Sequence, residues 1–152
     1  MPIDYCAFPC PAGMHNNFNN FLSRNPFPVF ISLDARLYLF GSSCNGFGFH
    51  ESDLDMCMMF KGKKKNDIDC IQTITSLSKI LRGNPDCRDV ISITGAKVPI
   101  VKFFLKNAKR EADISLYNEV ALWNTKLLAK YVEIDKRVEI LGCTLKIFVK
   151  VS

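Results

Sequence analysis

Two hydrophobic periods share the chain. Leu54, Met56, Met58 and Phe60 fall at every second position, the pattern of a strand with one face on a core. Arg36 to Phe40 (Arg-Leu-Tyr-Leu-Phe) predicts an earlier strand. Ala112 to Asn118 alternates as well, with Ile114 and Leu116 on one side and Asp113, Ser115 and Tyr117 on the other. Val90–Thr94 and Lys97–Leu105 predict two more strands about a turn at Gly95. Pro99 lacks a backbone donor, which suggests a sheet edge or a bulge. Helical spacing governs the rest. Asn66 or Asp67 caps a helix to about Arg82, with Ile71, Ile74, Leu77 and Leu81 on its apolar face and Gly83 at its end. Asn118 caps a second, whose core face is Val120, Trp123, Leu127 and Tyr131. A third runs from about Asp135 and turns Val138, Leu141, Leu145 and Phe148 inward. Residues 1–35, with prolines at 2, 9, 11, 26 and 28, form a loop-rich lead-in in which Phe18, Phe21 and Leu22 suit a short helix.

Composition narrows this to one domain. At 152 residues, 48% hydrophobic and 23% charged, the chain has the make-up of an ordinary globular protein. A net charge of +5 permits a polyanionic partner without requiring one. The seven cysteines are scattered and odd in number, which predicts reduced thiols and a cytoplasmic protein. Cys6, Cys10 and His15 hint at a zinc knuckle, but the spacing is Cys-x3-Cys and no fourth ligand follows nearby. No basic, apolar leader opens the sequence and no stretch approaches membrane-spanning length, so neither a signal peptide nor a membrane partner is expected. Lys61-Gly62-Lys63-Lys64-Lys65 reads as a turn kept soluble by charge, or as a contact to an RNA backbone.

Candidate chemistry concentrates between Gly41 and Phe60. Asp53 and Asp55 lie two apart at the start of a strand, so their carboxylates project together. Such a pair repels unless something cationic sits between its members. Two divalent ions roughly 3.5–4 Å apart would serve, and would activate a hydroxyl and stabilise a transferring phosphoryl group. An isolated Asp-x-Asp is most often a solvated turn. Here Gly41-Ser42 stands upstream and offers a triphosphate a close backbone approach, free N–H groups and a hydroxyl.

Together these residues resemble the nucleotidyltransferases of the DNA polymerase β superfamily. The wording Gly41-Ser42-Ser43-Cys44-Asn45-Gly46-Phe47-Gly48-Phe49-His50-Glu51-Ser52-Asp53-Leu54-Asp55 is most similar to the terminal RNA uridylyltransferases and noncanonical poly(A) polymerases, above all the animal zinc-knuckle uridylyltransferases. Ala96–Phe103 (Ala-Lys-Val-Pro-Ile-Val-Lys-Phe) and Asp113–Asn118 match the same family. The likeness runs from about Leu37 to the last residue.

The resemblance implies an α/β (α+β) palm domain, a small mixed sheet with helices packed on one side. Residues 36–118 would form the palm and 119–152 the start of a helical domain that continues in relatives beyond the point corresponding to Ser152. The complete enzyme would transfer a uridylyl group from UTP to an RNA 3′-end with two Mg²⁺ or Mn²⁺ ions; adenylyl transfer from ATP is the near alternative. Asp53 and Asp55 would bridge both metals, and Asp113 would complete the site and accept the proton of the 3′-hydroxyl. Asn124-Thr125 matches an Asn-Thr that holds the ribose, and Lys146 and Lys150 match a lysine pair that binds the triphosphate. Cys44 and His50 stand where relatives usually carry basic or polar residues, which removes charge beside the phosphates. A non-catalytic RNA- or nucleotide-binding module is the rival reading, and a helical partner or a second copy is a third way of finishing the pocket.

Overall fold

Strand pairing places one mixed sheet at the centre of a computed structural model that describes residues 35–49 and 52–151. Its strands are β1 (Ala35–Phe40), β2 (Leu54–Phe60), β3 (Cys87–Ile93), β4 (Ile100–Leu105) and β5 (Arg110–Leu116), in the order β1-β2-β5-β4-β3. Only the β2–β5 pair is parallel. Three helices follow the pattern of the sequence: α1 (Cys70–Arg82), α2 (Glu119–Ile134) and α3 (Arg137–Val151). The expectations for Cys6, Cys10, His15, Phe18, Phe21, Leu22 and His50, and for the side chain of Lys150, lie outside the described residues.

The period-2 residues close a core. Leu54, Met56, Met58 and Phe60 are all buried, as are Ala112, Ile114 and Leu116 across the parallel ladder. Leu37 and Leu39 on β1 and Val101, Phe103 and Leu105 on β4 extend the same cluster. α1 covers it with Ile74, Leu77 and Leu81, all but inaccessible to solvent, and packs on β3, β4 and β5.

Several boundaries differ from expectation for local reasons. Neither Asn66 nor Asp67 caps α1: Asp67 belongs to a separate 3₁₀ turn, and Asp69 accepts the Gln72 N–H at 3.0 Å as the true N-cap. Ile71 in the first turn is exposed, leaving the burial to Ile74, Leu77 and Leu81. Asn118 precedes α2 without a capping side-chain bond. β4 begins only at Ile100, after Pro99, and β3 starts at Cys87 with an irregular register between Arg88 and Ile91.

The larger correction concerns α2 and α3. Val120, Trp123, Leu127 and Tyr131 were expected in the core, and all four are exposed. Leu141, Leu145 and Phe148 of α3 are exposed as well. α2 instead turns Thr125 and Val132 toward β1 and the turn that follows it. α3 offers Gly142, where an added Cβ would overlap the ring of Phe47. Periodicity identifies an apolar face, and here that face is not the one that meets the sheet. No helix among the described residues is long and apolar enough to cross a membrane.

Candidate active site

The carboxylates sit on the sheet face opposite α1. Asp55 opposes Phe40 on β1 and Asp113 on β5, and Asp113 opposes Lys102 on β4, so one row crosses four strands. Directly opposed residues on neighbouring strands share a face about 4.8 Å apart. This register brings Asp113, nearly 60 residues downstream, beside Asp55. Asp53 stands just before β2, exposed, and its charge raises the pKa of both other carboxyls.

Gly41 starts the 3₁₀ turn Gly41–Ser43 directly above this row, with φ of +76°. A Cβ there would overlap the Asp55 carboxylate, so no other residue fits without moving the acid. The Gly41 N–H is not free for a phosphate, because it donates to Thr125 Oγ1 at 2.9 Å. Thr125 in turn donates to the Ala121 carbonyl at 2.7 Å. That buried hydroxyl therefore braces the turn against α2. Asn124, its neighbour, is exposed, and Ser42 is half-buried beside Gly41. The loop beyond folds back: Asn45 Oδ1 accepts the Phe47 N–H at 3.0 Å, and Ser52 Oγ accepts the Phe49 N–H at 2.8 Å. Lys146 donates to the Phe47 carbonyl at 3.3 Å, and its ammonium lies 5.3 Å from the centre of the Phe49 ring.

Electrostatics show a site short of positive charge. Burial pushes the Asp55 carboxyl up to about 6, with Asp113 and Asp53 adding repulsion, although Lys102 and Lys146 work against them. Burial raises Asp113 too, in spite of Lys102. The Lys102 ammonium meets Asp113 Oδ2 at 3.4 Å, while Asp113 Oδ1 is buried without a hydrogen-bond partner. An unpartnered buried carboxylate oxygen beside a second acid is a position for a cation. As the side chains stand, no three acidic, histidine or cysteine groups among the described residues converge on one point. The hard oxygen donors suit Mg²⁺ or Mn²⁺. Lys102 lies inside a recognised motif, and yet only the β4–β5 register reveals its partner.

A sheet with carboxylates on adjacent parallel strands and a glycine turn above them defines a nucleotidyltransferase palm, and comparison with known proteins agrees. Residues 17–133 match the family model "Poly(A) RNA polymerase, mitochondrial-like, central palm domain", and the chain belongs to that family. It is 52% identical to mouse terminal uridylyltransferase 4 over 76% of its own length and 7% of the relative's. With human terminal uridylyltransferase 7 it shares 47% identity over 90% of the chain and 9% of the relative. Poly(A) RNA polymerase GLD2-B of Xenopus laevis is 38% identical over 74% of the chain and 22% of that protein. Among solved structures, the GLD-2/RNP-8 complex superposes with a TM-score of 0.76 at 29% identity, covering 91% of this chain and 52% of that one. The mtPAP complex with UTP gives 0.72 at 27% identity, covering 86% of this chain and 30% of that one. The chain thus spans less than a tenth of the uridylyltransferases it matches.

Proposed function

We propose that this chain carries the palm of an RNA 3′-terminal nucleotidyltransferase that moves a uridylyl group from UTP to an RNA 3′-hydroxyl. The observation that carries the reading is the Asp55–Asp113 register beneath Gly41, in a site whose acids are charge-starved. The 3′-oxygen attacks the α-phosphorus of UTP, the bond to the β-phosphate oxygen breaks, and pyrophosphate leaves. Asp53, Asp55 and Asp113 would hold two Mg²⁺ or Mn²⁺ ions, which when bound neutralise the phosphates and promote ionisation of the attacking hydroxyl. Asp113 would also take that proton, a role supported by its place beside Asp55 in the parallel ladder. Gly41 allows the chain to approach the acids and Thr125 braces the turn, while Ser42 would supply a hydroxyl to the triphosphate. Lys146 lies close enough to lower the Asp55 pKa and would meet the same anion, with Lys150 one turn on and Asn124 reaching the ribose. Uridylyl is favoured over adenylyl transfer because the relatives at 52% and 47% identity are named for it. Cytoplasmic residence is part of this proposal and rests on the scattered, odd-numbered cysteines of the sequence.

The exposed apolar face of α2 and α3 favours one addition: further helices pack there and finish the pocket. A labelled short RNA, incubated with each ribonucleoside triphosphate and Mg²⁺ or Mn²⁺, tests the function. UTP-dependent extension, reduced at least about a thousandfold in Asp53→Ala/Asp55→Ala, is the expected result. Extension that survives the double substitution would defeat the assignment.

A further inference from the structure

A second concentration of charge lies on the carboxylate face, at its other end. Side chains two apart share a face, so Arg36 and Tyr38 of β1 and Met59 of β2 project on the side of Asp55. At the usual strand rise Met59 is about 13 Å from Asp55 along β2. The start of α2 separates the two, where the Asn118 N–H donates to Cys57 Sγ at 3.1 Å. Beyond it opens a surface pocket of about 680 Å³, floored by Tyr38, Met59 and Tyr117.

The rim is basic. Arg36, Lys61, Lys63, Lys64 and Lys65 line the pocket against one carboxylate, Glu119. Among the described residues none of these five cations pairs with an acid, so five positive charges are gathered on one rim without a local counter-charge of their own. The turn that carries them is also built in place. Tyr117, in a left-handed conformation with φ of 49°, accepts the Phe60 N–H and donates to the Lys63 carbonyl, each at 3.2 Å. A turn needed only for solubility has no use for a buried tyrosine holding its backbone. Unpaired cations around a half-exposed ring match a strand of nucleic acid, whose phosphates take the lysines and whose bases stack on tyrosine. An acidic peptide would meet the cations but has no base to stack on Tyr38.

We propose that this pocket binds the sugar-phosphate backbone of the RNA upstream of the 3′-end. The inference rests on the chain's reading as an RNA 3′-end nucleotidyltransferase, and it adds a site that the chemistry itself does not require. It implies that RNA long enough to bridge the two positions binds more tightly than RNA that fills the active site alone.

Binding of fluorescent RNAs in EDTA, followed by anisotropy across a salt series, tests it apart from turnover. The probes are a dinucleotide and an RNA of about a dozen nucleotides. Replacing Lys61, Lys63, Lys64 and Lys65 together by Gln weakens the longer RNA at least about tenfold and leaves the dinucleotide unchanged. The slope of log affinity against log salt becomes shallower by roughly 0.7 for each phosphate that no longer meets a cation. The same four positions as Arg retain tight binding, and Lys79→Gln/Lys130→Gln changes neither affinity nor slope. Unaltered affinity and slope in the glutamine variant would overturn the proposal, as would equal loss from the Lys79/Lys130 control. Displacement of the RNA by polyglutamate at matched charge would overturn RNA as the ligand. Lysine-dependent binding that persists in a chain unable to extend RNA would sustain the pocket while the catalytic reading fell.

Discussion

Met56 and Leu141 are both large apolar residues placed by the period of their element, yet Met56 is 1% exposed and Leu141 62%. The difference lies in what covers each face. β2 alternates against β1 and β5, whose own alternation continues the same apolar surface, and α1 lies across it. β2, β4 and β5 therefore find their complement within the fold, whereas the edge strand β3 leaves Ile91 and Ile93 exposed. α2 meets the rest of the fold through Thr125 at Gly41 and Val132 beside Gly46, and α3 through Gly142 at Phe47, while most of their large apolar residues are exposed. The sheet makes the domain stable; the helix pair presents a surface. Among the described residues nothing covers that apolar surface.

That contrast is open to attack at several points. Leu77→Ala, beneath the sheet, is expected to cost about 2–5 kcal/mol in a denaturant titration, because a buried leucine leaves a cavity. A loss under about 1 kcal/mol would mean that α1 is not part of the core. A smaller effect is expected at the acids. The folded Asp55 pKa, about 6, lies above its ordinary value of 3.8, so the folded chain holds that proton more tightly than the unfolded one. Stability contributed by Asp55 is present below about pH 4 and is lost as pH rises through about 6. Partial exposure screens the effect to about 1 kcal/mol. Asp55→Asn should remove this fall, which melting curves from about pH 4 to about 7.5 would show as a flatter profile than the parent's. Parallel profiles would remove the charge-starved description of the site. The smallest effect is expected at Leu145→Ser on α3, within about 0.5 kcal/mol for the isolated chain and independent of protein concentration. A larger, concentration-dependent loss, seen together with a dimer by light scattering, would show that a second copy covers the helices.

Much of the candidate site's placement is legible in the sequence because its carboxylates lie on or beside alternating strands. Asp53, Asp55 and Asp113 face the same way once Leu54, Met56, Ile114 and Leu116 are assigned to the core, and burial agrees for all four apolar residues. The glycine turn is legible from its order before β2, and the structure adds its reason, the Asp55 carboxylate where a Cβ would stand. Lys102 and the Thr125–Gly41 bond are not legible, since both depend on which elements become neighbours. The apolar faces of α2 and α3 mislead for the same cause: a 3.6-residue period reports that a face avoids water but not what it meets. At α1 the signal is present but easily passed over, for Asp69 stands three residues before Gln72, the spacing of a capping box.

Everything proposed for the chemistry depends on Asp53, Asp55 and Asp113 together holding divalent ions at this face of the sheet. Mn²⁺ binding, followed by electron paramagnetic resonance at about pH 7.5 with a non-hydrolysable UTP analogue present, tests this without turnover. The expected result is tight Mn²⁺ that disappears in Asp55→Ala and weakens in Asp113→Asn, in chains that melt no lower than the parent. Mn²⁺ bound equally by all three proteins would place the metal elsewhere and contradict the proposed site.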